Sequence, residues 1–139
     1  MTGPALVLVG HGRYSDPWHD DAAVGHLVAD ELAAAGIRPV LRGTLPATLD
    51  ELPDERWSLV VTKAANGPAY DDDALWTGFR ERFVAILATG VPLLVLHQAG
   101  NSFGNPPEYA RAVGGRWVER SWHPAIGEAT FRPVDAEHP

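Results

Sequence analysis

The run Ala5-Leu6-Val7-Leu8-Val9 constrains this chain more than any other feature. It is aliphatic without interruption. A strand with one wet face alternates apolar and polar residues, whereas a continuous run fits a strand covered on both faces in a parallel sheet. Gly10-His11-Gly12 ends the run. Leu59-Val60-Val61 and Leu93-Leu94-Val95-Leu96 repeat the pattern, and Ile37 to Leu41 reads as a shorter strand. Strands are therefore expected near 5–9, 37–41, 59–62 and 92–96, as parallel neighbours.

Helical stripes separate these runs. Ser15-Asp16-Pro17 offers a cap and a first-turn proline. Val24, Leu27, Val28, Leu32 and Ala35 then share one face, and Gly36 follows as a C-terminal stop. Leu75, Trp76, Phe79, Phe83, Ile86 and Leu87 form a second stripe ending at Gly90, with Asp71, Asp72 and Asp73 at its favourable N-terminal end. Thr44 to Arg56 is a proline- and acid-rich connector. Pro107 to Val113 suggests a short helix, and Arg116 to Arg120 and Ala129 to Val134 read as extended. Such alternation predicts an α/β fold, a doubly wound and mostly parallel sheet with helices on both faces. No repeat or linker divides residues 1–139, so a single domain is expected.

Composition narrows the function. The net charge is -7, and Lys and Arg do not cluster; nucleic acid and anionic membrane would each need an electropositive face. Without cysteine, a thiol nucleophile, a thiolate metal site and a disulfide are excluded. No stretch approaches the roughly 20 apolar residues of a membrane span, and the amino terminus lacks a basic signal-peptide region. A cytoplasmic location is the default expectation. Nucleotide fingerprints, a phosphate loop and a Gly-x-Ser-x-Gly elbow are all missing.

In open parallel sheets ligands bind outside the carboxyl ends of the strands. The polar residues there are His11, Arg13 and Tyr14 after the first strand, Lys63 and Asn66 after the third, and His97, Gln98 and Asn101 after the fourth. His97 is the sharpest: it ends an aliphatic run where related sheets present a nucleophile, and imidazole can serve as acid, base or ligand. His11 sits in a glycine turn that permits close approach of a ligand. His97 and His11 are the expected catalytic residues, with Arg13, Tyr14, Lys63, Asn66, Gln98 and Asn101 binding substrate. The plain alternative is ordinary strand-end hydrogen bonding. His19 lies near a helix start, where imidazolium is disfavoured, and His26 reads as solvated. No two histidines share metal spacing on a helix. A divalent ion such as zinc is nonetheless compatible with His11, His97 and His123, should the loop after Val118 fold over the strand ends.

Leu-Val-Leu-His-Gln-Ala-Gly-Asn-Ser-Phe (94–103), Pro-Glu-Tyr (107–109), Gly-Gly-Arg-Trp (114–117) and Asp-Ala-Glu-His-Pro (135–139) resemble ThuA-like (trehalose-utilisation) domains in order and spacing. The Gly10–Tyr14 turn and Asp16-Pro17-Trp18 also fit. The resemblance implies a flavodoxin-like sheet similar to class I glutamine amidotransferases, with histidine in place of their cysteine. Amidotransferase chemistry is then excluded. It further implies carbohydrate utilisation, with a hydroxyl- or keto-bearing sugar as small-molecule partner. The family fold commonly continues past the His-Pro segment, so its C-terminal part is expected to be lacking here. A non-catalytic sugar- or metabolite-binding module is the competing reading. Substrate and oligomeric state are not fixed by the sequence, which is compatible with a homo-oligomer.

Overall fold

The computed structural model describes residues 3–67, 71–104, 107–117, 120–122, 124–130, 132 and 137. Four strands, β1 (Ala5–Val9), β2 (Pro39–Gly43), β3 (Leu59–Lys63) and β4 (Leu93–Val95), form one sheet in the order β2-β1-β3-β4. Every pairing is parallel, with Val7 opposite both Leu41 and Val61, and Val61 opposite Leu94. This is the flavodoxin-like order, in which the chain winds outward in both directions from β1. Continuous apolar runs predicted it because β1 is covered on both faces, and all five of its residues are buried.

Alternate side chains of the strands feed two cores. Leu6, Leu8, Val40 and Val60 point into the larger, with Trp76, Phe79 and Phe83 of the helical segment 71–88 and Tyr109 of α3 (Pro107–Val113). Val7, Val9 and Val61 point the other way, toward Val28 and Leu32 of α1 (Asp21–Ala34). Helices therefore cover both faces, α1 on one and α2 (Thr77–Ala88) with α3 on the other.

Several local expectations shift. α1 starts at Asp21 rather than after Pro17, because Asp20 is the cap and accepts a hydrogen bond from Ala23 N–H. Its buried stripe runs through Asp21, Gly25 and Ala29, leaving Leu27 exposed. Gly25 dictates that rotation: a Cβ there would stand 2.1 Å from Val9 Cγ1, so only glycine lets the helix sit this close to β1. Leu75 is likewise exposed, since α2 begins at Thr77 after a 3-10 segment. Leu94 is 45% exposed; it lies on the α1 face of the sheet at edge strand β4, beyond that helix's cover. Arg116 to Arg120 and Ala129 to Val134 contain no strand among the described residues. No helix among the described residues is long and apolar enough to cross a membrane.

Candidate functional site

All four strands point their carboxyl ends to one rim, and the loops there divide into two groups. After β1, Gly10 N–H donates to Lys63 C=O at 2.8 Å, and a 3-10 turn, Gly12–Tyr14, folds back so that Ala65 N–H reaches Tyr14 C=O at 2.7 Å. Tyr14 is consequently a core residue, packed edge-on against Trp76 and beside Phe103. Burial raises its hydroxyl above the ordinary pKa, against the pull of the Arg13 and Arg80 charges. The Arg13 side chain is 6% exposed, bonds Asp73 at 3.1 Å and lies 5.2 Å from the centre of the Trp76 ring. Lys63 is buried and paired with buried Asp21 in the first turn of α1. Gly10 makes room for that pair: a Cβ on it would come within 2.1 Å of Asp21 Oδ2.

Three sequence-selected residues thus serve the fold. Arg13 and Lys63 have their charged groups turned to partners within the chain, Tyr14 packs its ring into the core, and none of the three lines the cavity at the remaining loops of this rim. His11 is exposed, its N–H donating to Thr44 Oγ1 at 2.9 Å, and it too is absent from the cavity lining.

The second group surrounds a cavity of about 890 Å³. Asn66, His97, Gln98 and Asn101 line it, joined by His19, Arg116, Trp117 and Ile126. The loop that carries three of these is firmly held. Ser102 Oγ sits 2.9 Å from Ala64 C=O and 2.6 Å from Ala65 C=O, and Tyr109 OH donates to Ala99 C=O at 2.7 Å. With its proton so committed, Tyr109 accepts from Thr62 Oγ1 at 3.0 Å. Desolvation pushes this phenol up to about 12, despite the opposing Thr62 bond. Phe103, in the left-handed region at φ 49°, wedges its ring among Phe79, Phe83 and Tyr109.

His97 is also left-handed, at φ 53°. Such a backbone costs a non-glycine residue about 1 kcal/mol or more, and it persists where surrounding structure imposes it. The turn aims the imidazole at His19, bringing the two Nε2 atoms to 3.1 Å. His19 Nδ1 in turn lies 2.9 Å from each Asp16 oxygen. An ionised carboxylate only accepts, so Nδ1 carries the proton and Nε2 of a neutral His19 presents its lone pair to His97. Desolvation acts to raise Asp16, but the hydrogen bonds from His19 and Trp18 N–H hold it below the ordinary carboxylate value.

Sequence reasoning therefore found His97, Asn66, Gln98 and Asn101 and missed His19. The available signal was Asp16-Pro17-Trp18-His19, a turn in which an aspartate at the first position receives Trp18 N–H at 2.7 Å and brings the fourth residue onto its carboxylate. Of the suggested metal trio, His97 meets His19, His11 stands apart from the cavity, and His123 lies outside the described residues. No cluster of three or more His, Asp or Glu residues suited to a metal ion occurs among the described residues. A smaller cleft of about 280 Å³ lies at the opposite end of the sheet, between Arg56–Ser58 and Thr89–Pro92, and has no imidazole or carboxylate among its described lining residues.

No protein-family model matches the chain, and no characterised protein or solved structure is significantly similar to it.

Proposed function

We propose that the cavity takes up a small hydroxyl- or keto-bearing carbohydrate and that the chain acts on it, in the manner expected of a cytoplasmic ThuA-like protein of sugar utilisation. The observation that carries this reading is the make-up of one wall. Three carboxamides, Asn66, Gln98 and Asn101, stand with the Trp117 ring and the His19–His97 pair around a single opening. Carboxamides donate and accept, as hydroxyl groups require, and an indole face suits the apolar C–H surface of a sugar ring. Gln98 Oε1 is buried without a hydrogen-bond partner among the described residues, and a hydroxyl donor would satisfy it.

In this reading His97 exchanges a proton with a hydroxyl or keto oxygen, and Asp16 fixes the tautomer of His19 behind it. His11 has no part in it. A binding module without turnover is the second reading, favoured by the lack of any carboxylate among the described cavity residues. Calorimetric titration with a panel of neutral mono- and disaccharides tests both, followed by chromatography of the mixtures. Saturable binding that Trp117→Ala and Asn101→Ala each weaken about tenfold supports the site, given roughly 1.4 kcal/mol per decade. Conversion of the sugar, abolished in His97→Ala, supports the enzyme, and binding without conversion supports the module. A panel that fails to bind, or binds equally to both variants, removes the carbohydrate reading.

A further inference from the structure

An in-plane lone pair of imidazole can hold a proton or a metal ion, and the two arrangements leave different ring geometries. With each nitrogen about 1.15 Å from its ring centre, a linear N–H···N bond of the observed length would set the centroids about 5.4 Å apart. Two nitrogens sharing an ion at about 2.05 Å would converge at about 100° and set the centroids about 4.8 Å apart. In the structure Nε2 of His19 and Nε2 of His97 are 3.1 Å apart. The ring centroids are separated by 4.8 Å and the planes inclined at 54°. This centroid separation is shorter than a linear N–H···N bond would set and equals that of two nitrogens sharing one ion.

The surroundings agree. A ligating histidine ordinarily donates its other ring N–H to a carboxylate, which fixes the tautomer and strengthens the free nitrogen as a ligand. Asp16 does this for His19, with both oxygens 2.9 Å from Nδ1. His97 reaches its place only through a left-handed backbone, a strain that strand-end hydrogen bonding alone would not require. We propose that His19 and His97 bind one divalent transition-metal ion, zinc or a chemically similar cation, through their Nε2 atoms at the cavity wall, with Asp16 as the outer partner of His19. Two imidazoles fill only part of a four-coordinate shell, so the remaining positions go to water or a ligand oxygen. Both residues line the cavity, so the open positions are accessible to whatever the cavity holds. The proposal stands on these three side chains and does not depend on the carbohydrate reading.

The test uses the tag-free full chain, stripped with chelator and titrated with Zn(II), and separately with Co(II) as a spectroscopic probe. One equivalent should bind, giving Co(II) visible absorption that Zn(II) displaces. His19→Ala and His97→Ala should each weaken Zn(II) binding by roughly 100-fold and Asp16→Asn by about tenfold, since losing a ligand exceeds losing its outer partner. His26→Ala, on the exposed face of α1, should bind as the parent does. Imidazole ¹⁵N spectra of the unmodified chain decide the matter even if a variant does not fold: Zn(II) should shift His19 and His97 together, each at Nε2. Failure to bind an equivalent, binding that survives either alanine substitution in a folded variant, or spectra that leave either ring unmoved at saturation would overturn the site. The pair would then be two hydrogen-bonded imidazoles. None of these measurements involves a sugar, so the two proposals can fail separately.

Discussion

The polar residues beyond the carboxyl ends of β1, β3 and β4 lie on the same rim of the sheet, yet the cations and the neutral groups among them have opposite fates. Beside β1 and β3, Arg13 and Lys63 are drawn inward by Asp73 and Asp21 and lie almost fully buried. Beyond β4, His97, Gln98 and Asn101 face a cavity. The difference follows from charge. A cation at a crowded strand end must be paired if it is to leave water, so it recruits an acid from the nearest helix. Neutral imidazole and carboxamide groups carry a smaller desolvation cost and can remain at an opening. Position at a strand end marks a residue as a candidate, and its partners decide whether it is available.

The sharpest way to break this comparison is to remove an internal partner. Asp21→Ala leaves Lys63 buried and uncompensated, which should cost about 3–5 kcal/mol. Urea unfolding would report it as a lower midpoint with an unchanged slope. A variant as stable as the parent would place Lys63 on the site side of the comparison.

The next effect separates central from edge strands. Leu6→Ala, at a fully buried position, should cost about 2–5 kcal/mol through cavity formation. Leu94→Ala, at a position 45% exposed, should cost about 1 kcal/mol. The sequence makes the two leucines look alike; equal losses would mean that β4 is covered on the α1 face.

A smaller loss should accompany Tyr109→Phe, which frees Ala99 C=O and Thr62 Oγ1 beneath the loop carrying His97. About 1–2 kcal/mol is expected, together with weaker ligand binding in the cavity. The pH dependence should change with it. The folded phenol is raised from 10.0 to about 12, so between these values the unfolded chain releases a proton that the folded chain keeps. Stability therefore falls as pH rises through this window, by about one proton's worth of slope. In Tyr109→Phe that component should vanish, and denaturation curves from pH 9 upward would reveal its persistence.

The smallest stability change belongs to the residue expected to matter most for function. His97→Ala should alter stability by no more than about 1 kcal/mol while weakening Zn(II) binding roughly 100-fold. His97→Gly should be the more stable of the two by about 1 kcal/mol, because glycine adopts a positive φ without strain. Thermal melts of the pair would show it, and an alanine variant at least as stable as the glycine one would mean that the backbone relaxes.

Much of this was legible in the chain itself. Uninterrupted aliphatic runs forced parallel, doubly covered strands, and the aromatic stripe Trp76, Phe79 and Phe83 was bound for the core, because burial of apolar area depends chiefly on local pattern. The ends of those runs also located His97, Asn66, Gln98 and Asn101. What the pattern could not supply was pairing between distant residues. Arg13 and Asp73 are 60 positions apart, Lys63 and Asp21 are 42, and His97 and His19 are 78. Linear spacing does not encode such meetings: they arise when β1 takes the centre of the sheet and the loops after β1 and β4 are carried to one rim. Local periodicity determined the elements and the edge on which a site could lie. Only tertiary structure decided which polar groups neutralise one another inside the fold and which remain exposed to a ligand, because that choice rests on electrostatic and hydrogen-bond partners brought together by folding.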